Sequence, residues 1–221
     1  MEETKYTPYE HAHIKATLCN YDRTEAEPDH GRQISFPISN EDLSLVLSDI
    51  GCEPIAIKST VYLKDYDCGI DGLCDFFECE DQSIEDMNAL AKQISNMNEK
   101  QFWKFEQIIY AQDTINNAAF AINLAMNMPE YHAITGVTKA YDLGKYFMDL
   151  AYGREHFEPY LKYFDFKRYG FDIKRELNGS FSKEAFVYPT GDWTQFYKGR
   201  YDSRGTQPKP ERPKEPDRSE R

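Results

Sequence analysis

Apolar and polar residues alternate in three short segments of the first third of the chain. This period of two is typical of β-strands with one buried face. The three predicted strands are His13–Tyr21, Gln33–Ile38 and Ile55–Leu63. Between the second and the third, Ser39 precedes apolar residues spaced three and four apart, which predicts a capped helix that ends at Gly51. The pattern therefore predicts a three-stranded sheet with one helix.

Three helix-start signals follow one another in the middle of the chain. Ser83 stands directly before an apolar stripe with helical spacing, and Thr114 stands before another. Between them, Asn98 is followed three residues later by Gln101, which is the pattern of a capping box. Each stripe covers about three helical turns, and the connections are short. This part of the chain is therefore predicted to be a bundle of short helices.

The last third of the chain mixes helix and strand signals before its periodicity ends. Thr138 is placed to cap a helix that contains Leu143. The turn signal Asn178-Gly179 precedes the alternating, aromatic segment Phe181–Tyr188, which is predicted to be a strand. Beyond it the apolar positions lose their spacing, and prolines stand among charged residues. A segment of this composition cannot form a core, so we expect it to be disordered.

The predicted fold class is α+β, with three small modules between two terminal segments. Hydrophobic residues make up 40% of the 221 residues, which is enough to offset the ordering entropy of most of the chain. The predicted parts are a flexible arm over residues 1–12, an α+β module over 13–81, a helical bundle module over 82–128, an α+β module over 129–190 and a disordered tail over 191–221.

The chain carries a large excess of negative charge. Its 38 acidic and 26 basic residues give a formal net charge of −12, and residues 1–197 alone, with 33 acidic against 18 basic residues, carry −15. Such a surface repels nucleic acid and favours basic protein partners. No apolar run has the length of a membrane-spanning helix, so we expect a cytoplasmic protein without membrane association. The five cysteines are then expected to be reduced thiols.

Sequence motifs for catalysis or metal binding are missing. His11 and His13 have no further histidine or cysteine at ligand spacing. A calcium loop that would start at Asp65 and Asp67 fails, because Ile70 stands at the required glycine position. We therefore predict no metal, no cofactor and no enzymatic activity. A metal-dependent hydrolase built from the abundant carboxylates is the enzymatic alternative.

The highest charge density lies in the segment from Tyr62 to Asp86, which holds nine acidic residues and one lysine. An acidic stretch is ordinarily a solvated surface. Four aromatic residues stand among these acids, however, so the segment is expected to fold and to hold its carboxylates in a fixed pattern. Duplex DNA has about one charge per 1.7 Å of axis, so about 20 ordered carboxylates would imitate roughly 10 base pairs. The acidic residues are Asp65, Asp67, Asp71, Asp75, Glu78, Glu80, Asp81, Glu85 and Asp86.

Several segments stand in an order that is typical of one protein family. The first strand and the helix after Ser39 are followed by four further segments and by the closing aromatic strand. The four segments are Asp65–Gly72, Asn123–Asn127, Asp142–Phe147 and Asp165–Gly170. In this order and spacing, over about residues 13–188, the chain resembles the ArdA antirestriction proteins of plasmids and conjugative transposons.

The resemblance implies an elongated, three-module subunit that forms a homodimer through its last module, residues 129–190. It implies that the protein imitates bent B-form DNA and inhibits type I restriction-modification enzymes by competing for their DNA-binding groove, without catalysis or a cofactor. The runner-up is an acidic protein-binding module that inhibits another DNA-targeting defence complex. A proline-rich, net basic tail and five cysteines depart from the family pattern.

The resemblance also implies a subunit contact near the segment Tyr141–Leu150, which looks like the family's antirestriction motif. The predicted dimer interface consists of Tyr141, Leu143, Tyr146 and Phe147. Aromatic and aliphatic anchors of this kind suit a self-complementary surface. The alternative is that the apolar residues of this helix, Leu143 and Phe147 among them, form core within one chain.

Overall fold

A computed structural model of the protein describes residues 9–10, 12–24, 27, 30–52, 61–70, 72–77, 82–112, 117–152 and 161–199. Within these ranges the fold is mixed α+β, as predicted, with two three-stranded antiparallel sheets. The strands are β1 Ile14–Asn20, β2 Gly31–Phe36, β3 Val61–Cys68, β4 Tyr131–Thr135, β5 Ser180–Phe181 and β6 Ala185–Pro189. The α-helices are α1 Asn40–Asp49, α2 Cys74–Phe77, α3 Ile84–Ser95, α4 Glu99–Tyr110, α5 Ala118–Met126, α6 Ala140–Tyr152 and α7 Phe166–Glu176.

The first sheet has the order β2-β1-β3, with β1 in the centre. Strands β1 and β2 confirm the first two predicted strands. The third prediction, Ile55–Leu63, is wrong in position, because β3 runs from Val61 to Cys68; residues 53–60 lie outside the described ranges. A β-bulge interrupts the pairing of β3 with β1. The bulge breaks the period of two, so a search for alternation misses the second half of this strand.

The helix starts at Ser39, Ser83 and Asn98 are confirmed. Each serine side chain accepts a hydrogen bond from the backbone amide three residues later, at 3.0 Å. Asn98 forms the complete capping box with the glutamine three residues later. The predicted start at Thr114 lies outside the described residues, and α5 is instead capped by Asn117. Local hydrogen bonding of this kind depends only on residues close in sequence, which is why it can be predicted.

Buried apolar side chains form one large cluster and one small one. The large cluster joins the first sheet to helices α1, α3, α4 and α5, and it also includes Ala185 and Val187 of β6. Helices α3 to α5 therefore share a core with both sheets. The small cluster contains Ile134 and Leu143 and lies between the second sheet and α6. Full burial of a leucine, isoleucine or phenylalanine side chain stabilises the fold by about 1.5–3 kcal/mol relative to leaving that side chain exposed.

The second sheet has the order β4-β6-β5 and contains a hairpin where one strand was predicted. The segment Phe181–Tyr188 forms β5 and β6, because the chain turns after Ser182. The Ser182 hydroxyl accepts the Ala185 amide at 3.0 Å and donates to Gln107 Oε1 of α4 at 2.7 Å. A contact with a distant helix therefore holds the turn.

Helices α6 and α7 cross with their backbones in contact at two glycines. A Cβ atom on Gly144 would collide with the carbonyl group of Phe166, and one on Gly170 would collide with that of Ala140. Only residues without a side chain permit this approach. The crossing brings the partly buried Ile173 of α7 against the small cluster that contains Leu143 of α6.

The structure differs from the predicted disordered tail over residues 191–199, which we call the C-terminal strap. The strap lies along α5, where two asparagine side chains bind its backbone. Asn127 donates to the Thr194 carbonyl oxygen at 2.7 Å and accepts the Thr194 amide at 2.9 Å. Asn123 accepts two further strap amides at 2.8 Å each. The asparagines thus bind the strap backbone as a neighbouring strand would; residues 200–221 lie outside the described ranges.

The cysteines are not all thiols. Cys68 and Cys74 form a disulfide, so the prediction of reduced thiols is wrong for this pair. The pair is six residues apart, and the turn between β3 and α2 brings the two Cα atoms to 5.8 Å. Cys19 and Cys52 are free and buried, whereas Cys79 lies outside the described residues.

Candidate functional site

The nine acidic residues predicted to form the interaction surface differ in their exposure in the structure. Asp65, Asp67 and Glu85 are exposed, and Asp86 is buried. The side chain of Asp75 is not described. Four of the nine lie outside the described residues, namely Asp71, Glu78, Glu80 and Asp81.

The bulge in β3 places two aspartates at the surface. In an unbroken strand, residues 65 and 67 would share the buried face of Leu63. An extra residue between Lys64 and Asp67 shifts the register, and Asp65 takes up the turn with a positive φ of 50°. The Asp65 side chain is 68% exposed and its nearest cation, Lys64 Nζ, lies 4.0 Å away. Asp67 is exposed as well. Sheet backbone therefore holds both carboxylates in fixed positions.

Asp86 does not belong to the exposed surface, contrary to the prediction. It is 5% exposed and its Oδ1 accepts a hydrogen bond from the Tyr197 hydroxyl at 2.7 Å. Burial, together with this hydrogen bond and the negative charge of Asp86, raises the pKa of Tyr197 to about 12. Asp86 therefore anchors the C-terminal strap to the start of α3. The sequence holds no local signal for this contact, because 111 residues separate the two partners.

Other exposed acids of the first sheet and its helix were not singled out from the sequence. Asp22, Glu41 and Asp49 are exposed, and each stands apart from the dense acidic segment. Their spacing in the sequence hides them from a search for charge runs. In the sequence, these acids are indicated only by the total negative charge of the surrounding chain.

Charge is distributed unevenly along the chain. Residues 1–128 contain 23 acidic and 9 basic residues, a formal charge of −14. Residues 129–190 contain 9 of each sign, a formal charge of zero. The whole negative excess of residues 1–190 therefore lies in residues 1–128, which contain the first sheet and the central helices. The part that holds the second sheet, α6 and α7 is electrically balanced.

The four predicted interface residues also divide into two groups. Tyr141 and Tyr146 are 48% and 40% exposed on α6. Leu143 is completely buried in the small cluster, and Phe147 packs against that cluster. Leu143 is therefore core within the chain and cannot contact a partner, because it faces the second sheet. Leu150, which is 68% exposed, lies one helical turn after Tyr146 and was not included among the predicted contacts.

Among the described residues, no three His, Cys, Asp or Glu side chains lie close enough together to hold a metal ion. The helices of the same ranges include none that is long and apolar enough to cross a membrane.

Comparison with known proteins agrees with the order of segments described above. The family model of the antirestriction protein ArdA matches residues 16–188. The match begins in β1 and ends in β6, so it includes both sheets and every described helix. No curated protein was found to match the chain. Because the family model covers well over half of its length, the chain belongs to the ArdA family of antirestriction proteins.

Proposed function

We propose that the protein inhibits type I restriction-modification enzymes as a mimic of B-form DNA. It occupies the basic groove that otherwise holds duplex DNA, and it does so by binding, without catalysis or a cofactor. The exposed carboxylates of residues 1–128 face the enzyme, and residues 129–190 join two copies of the chain.

The uneven distribution of charge carries this proposal. The 23 acidic residues of the first 128 outnumber the basic ones by 14. Duplex DNA presents about one charge per 1.7 Å, so 14 charges correspond to about 24 Å of its axis. A dimer doubles this number. Two copies therefore carry the charge of more than one turn of duplex, which suits a groove that binds DNA.

The exposed carboxylates of β3 support mimicry rather than a loose acidic tail. Asp65 and Asp67 are attached to a strand whose backbone is hydrogen-bonded to the central strand of the sheet. Side chains that are attached to a rigid backbone before binding lose less conformational entropy when the complex forms. Basic grooves attract such a surface over a distance of about 8 Å at physiological salt.

The electrically balanced part of the chain supports the homodimer. Tyr146 and Leu150 give α6 two exposed apolar side chains one helical turn apart, and two copies can approach there without charge repulsion. Tyr141 is exposed on another side of the helix, where its ring contacts Phe166. Leu143 and Phe147 then support the helix from inside the chain. Self-association at this place leaves the acidic part of each copy free for the enzyme.

The test is a competition titration of a type I enzyme, labelled duplex DNA and this protein at several salt concentrations. The variants are Asp65→Lys, Asp67→Lys, Glu85→Lys and the triple reversal, with Glu176→Lys in the balanced part as the matched control. We expect each single reversal to weaken binding severalfold, because an exposed charge contributes about 0.2–1 kcal/mol. The triple reversal is expected to weaken it by a larger factor, and the control to leave it unchanged.

Two results would contradict the proposal. One is a failure of the wild-type protein to displace DNA at any salt concentration. In that case the runner-up applies, and the same variants are to be tested against other DNA-targeting defence complexes. The other is complete loss of inhibition by a single reversal, which indicates a specific pocket or a catalytic group instead of a distributed surface.

A further inference from the structure

The disulfide between Cys68 and Cys74 lies inside the acidic segment. Cys68 is the last residue of β3 and Cys74 is the first of α2. The bond therefore joins the strand that carries Asp67 to the next helix and closes the turn between them. Both cysteines are half-buried, and their Cα separation of 5.8 Å lies within the range of unstrained disulfides.

A pocket of about 530 Å³ opens beside the two cysteines. Its wall includes Asp67 next to the disulfide, and Tyr110 and Lys183 from the other side. The wall thus carries one charge of each sign, and both cysteines belong to it. Disulfide exchange depends on such access to one of the two sulfur atoms.

The other described cysteines lack this access. Cys19, in the central strand β1, is fully buried, and Cys52 is 8% exposed. Burial raises the pKa of the Cys52 thiol above its ordinary value, which disfavours the reactive thiolate. Thiol chemistry is therefore directed to Cys68 and Cys74 among the described residues.

We propose that Cys68 and Cys74 form a thiol–disulfide exchange site for low-molecular-mass thiols of the glutathione type, and that the bond sets the order of the acidic turn between β3 and α2. The consequence for inhibition rests on the proposed function. A protein that meets restriction enzymes works in a reducing compartment, where disulfides are usually transient. An accessible pair there is open in some conditions and closed in others.

The exchange needs two small thiols for each bond that opens. A thiolate attacks one cysteine sulfur, breaks the Cys68–Cys74 bond and forms a mixed disulfide with that cysteine. A second thiolate attacks the mixed disulfide and releases the small disulfide. Two electrons and two protons pass from the small thiols to the pair, and excess small disulfide drives the reverse reaction.

Opening the bond loosens the turn without unfolding the sheet. Ile70 and Leu73, between the two cysteines, and Phe77, after Cys74, bury their side chains in the large cluster. These contacts hold the segment in place when the bond is open. The bond contributes by restricting the opened state of the short loop. The turn between Cys68 and Cys74, next to the exposed Asp67, is therefore most ordered in the oxidised form.

The first experiment follows the bond itself in the native full-length protein. The protein is equilibrated in glutathione buffers of different thiol-to-disulfide ratio, quenched in acid and alkylated, and each cysteine is assigned by mass spectrometry of peptides. We expect Cys68 and Cys74 to change together, and Cys19 and Cys52 to react only after denaturation. A Cys68–Cys74 bond that opens only in denaturant, or never closes in excess glutathione disulfide, overturns the inference.

The second experiment compares amide hydrogen exchange of the oxidised and reduced proteins. We expect the amides of residues 69–77 to exchange roughly tenfold faster after reduction, and the amides of β1 to be unaffected. The Cys68→Ser/Cys74→Ser variant is expected to match the reduced wild type, and Cys52→Ala is the control. Equal exchange in both forms overturns the ordering role of the bond.

Inhibition is measured last, and it separates this inference from the proposed function. We expect the oxidised protein to inhibit the enzyme severalfold more strongly than the reduced one. Equal inhibition with equal hydrogen exchange overturns the inference and leaves mimicry standing. Absence of inhibition in both forms, with the difference in exchange intact, contradicts mimicry and leaves the exchange site standing.

Discussion

Asp65 shows how the backbone of one residue decides which side chains face the solvent. Its positive φ lies in a region that L-residues other than asparagine, aspartate and glycine rarely adopt. The bulge that it forms turns Asp67 outward and Cys68 inward, towards the pocket and the disulfide. The acidic surface and the exchange site therefore depend on the same irregularity.

We predict that Asp65→Val lowers the free energy of unfolding by about 1–2 kcal/mol, because a β-branched residue is strained in the left-handed region. Asp65→Asn is expected to change it by less than about 0.5 kcal/mol, because asparagine tolerates this conformation. Urea denaturation measures both, with Asp67→Val as the control at an ordinary strand position. If the two valine variants are equally destabilised, the conformation of Asp65 is not the cause.

Tyr197 gives the contact between the strap and α3 a dependence on pH. Its pKa in the folded protein is raised to about 12, chiefly by burial and then by the Asp86 carboxylate. An acid whose folded pKa is raised contributes stability that is complete below its unfolded pKa, about 10. That contribution is lost as the pH rises from about 10 through about 12.

We predict that the NMR signal of the Tyr197 ring titrates close to pH 12, assigned by comparison with Tyr197→Phe. Asp86→Asn should move the titration to lower pH, because the amide removes the negative charge that disfavours the phenolate. Titration of Tyr197 at its ordinary pKa in the wild type would show that the strap does not hold this contact in solution.

At the scale of elements, the strap differs most from the sequence-based expectation, because it is ordered where disorder was predicted. It has no regular secondary structure, yet Asn123 and Asn127 bind its backbone, and Trp193 stacks on Phe120 with ring centroids 5.5 Å apart. These contacts come from one face of α5. Through the strap, the chain runs back from the second sheet to the central helices.

We predict that a chain truncated after residue 199 keeps the thermal stability of the full protein, whereas truncation after residue 190 lowers it. The shorter chain loses the strap's hydrogen bonds to Asn123 and Asn127, each of which contributes about 0.5–1.5 kcal/mol. Thermal unfolding followed by circular dichroism compares the two. Equal melting temperatures would show that the strap adds nothing to the fold.

At the scale of the whole molecule, the sign of charge divides the chain into two parts. Residues 1–128 carry −14 and residues 129–190 carry no net charge. Like charges repel across any contact between copies, so a dimer is least opposed at the balanced part. In the proposed function, the same division leaves the acidic part to the basic groove of the enzyme. The two proposed contacts then use separate surfaces.

We predict that the protein is a homodimer of twice 25.8 kDa by light scattering, and that Tyr146→Lys with Leu150→Lys yields the monomer. Charges placed at an apolar contact repel their copies across the twofold axis. Met126→Lys, at a residue of α5 that is 40% exposed, is the control and is expected to leave the dimer intact. A monomeric wild type at micromolar concentration contradicts the assignment of this surface.

The sequence by itself determined the features that depend on neighbouring residues and on totals. The side-chain caps of Ser39, Ser83 and Asn98 act within one helical turn, so their patterns could be read directly. The α+β class followed from the periodicity of apolar residues, and the family followed from the order of its segments. The excess of acidic residues follows directly from the residue counts of the sequence.

Tertiary structure alone decided which of the candidate residues are exposed. The family resemblance placed Leu143 on a contact surface, and the charge density of its segment placed Asp86 on one, yet both are buried, Leu143 by the second sheet and Asp86 by the strap. A bulge and a turn bring Cys68 and Cys74 together, and neither produces a periodic pattern in the sequence. Burial depends on contacts between residues far apart in the chain, and a local pattern contains no information about which distant segment will cover it.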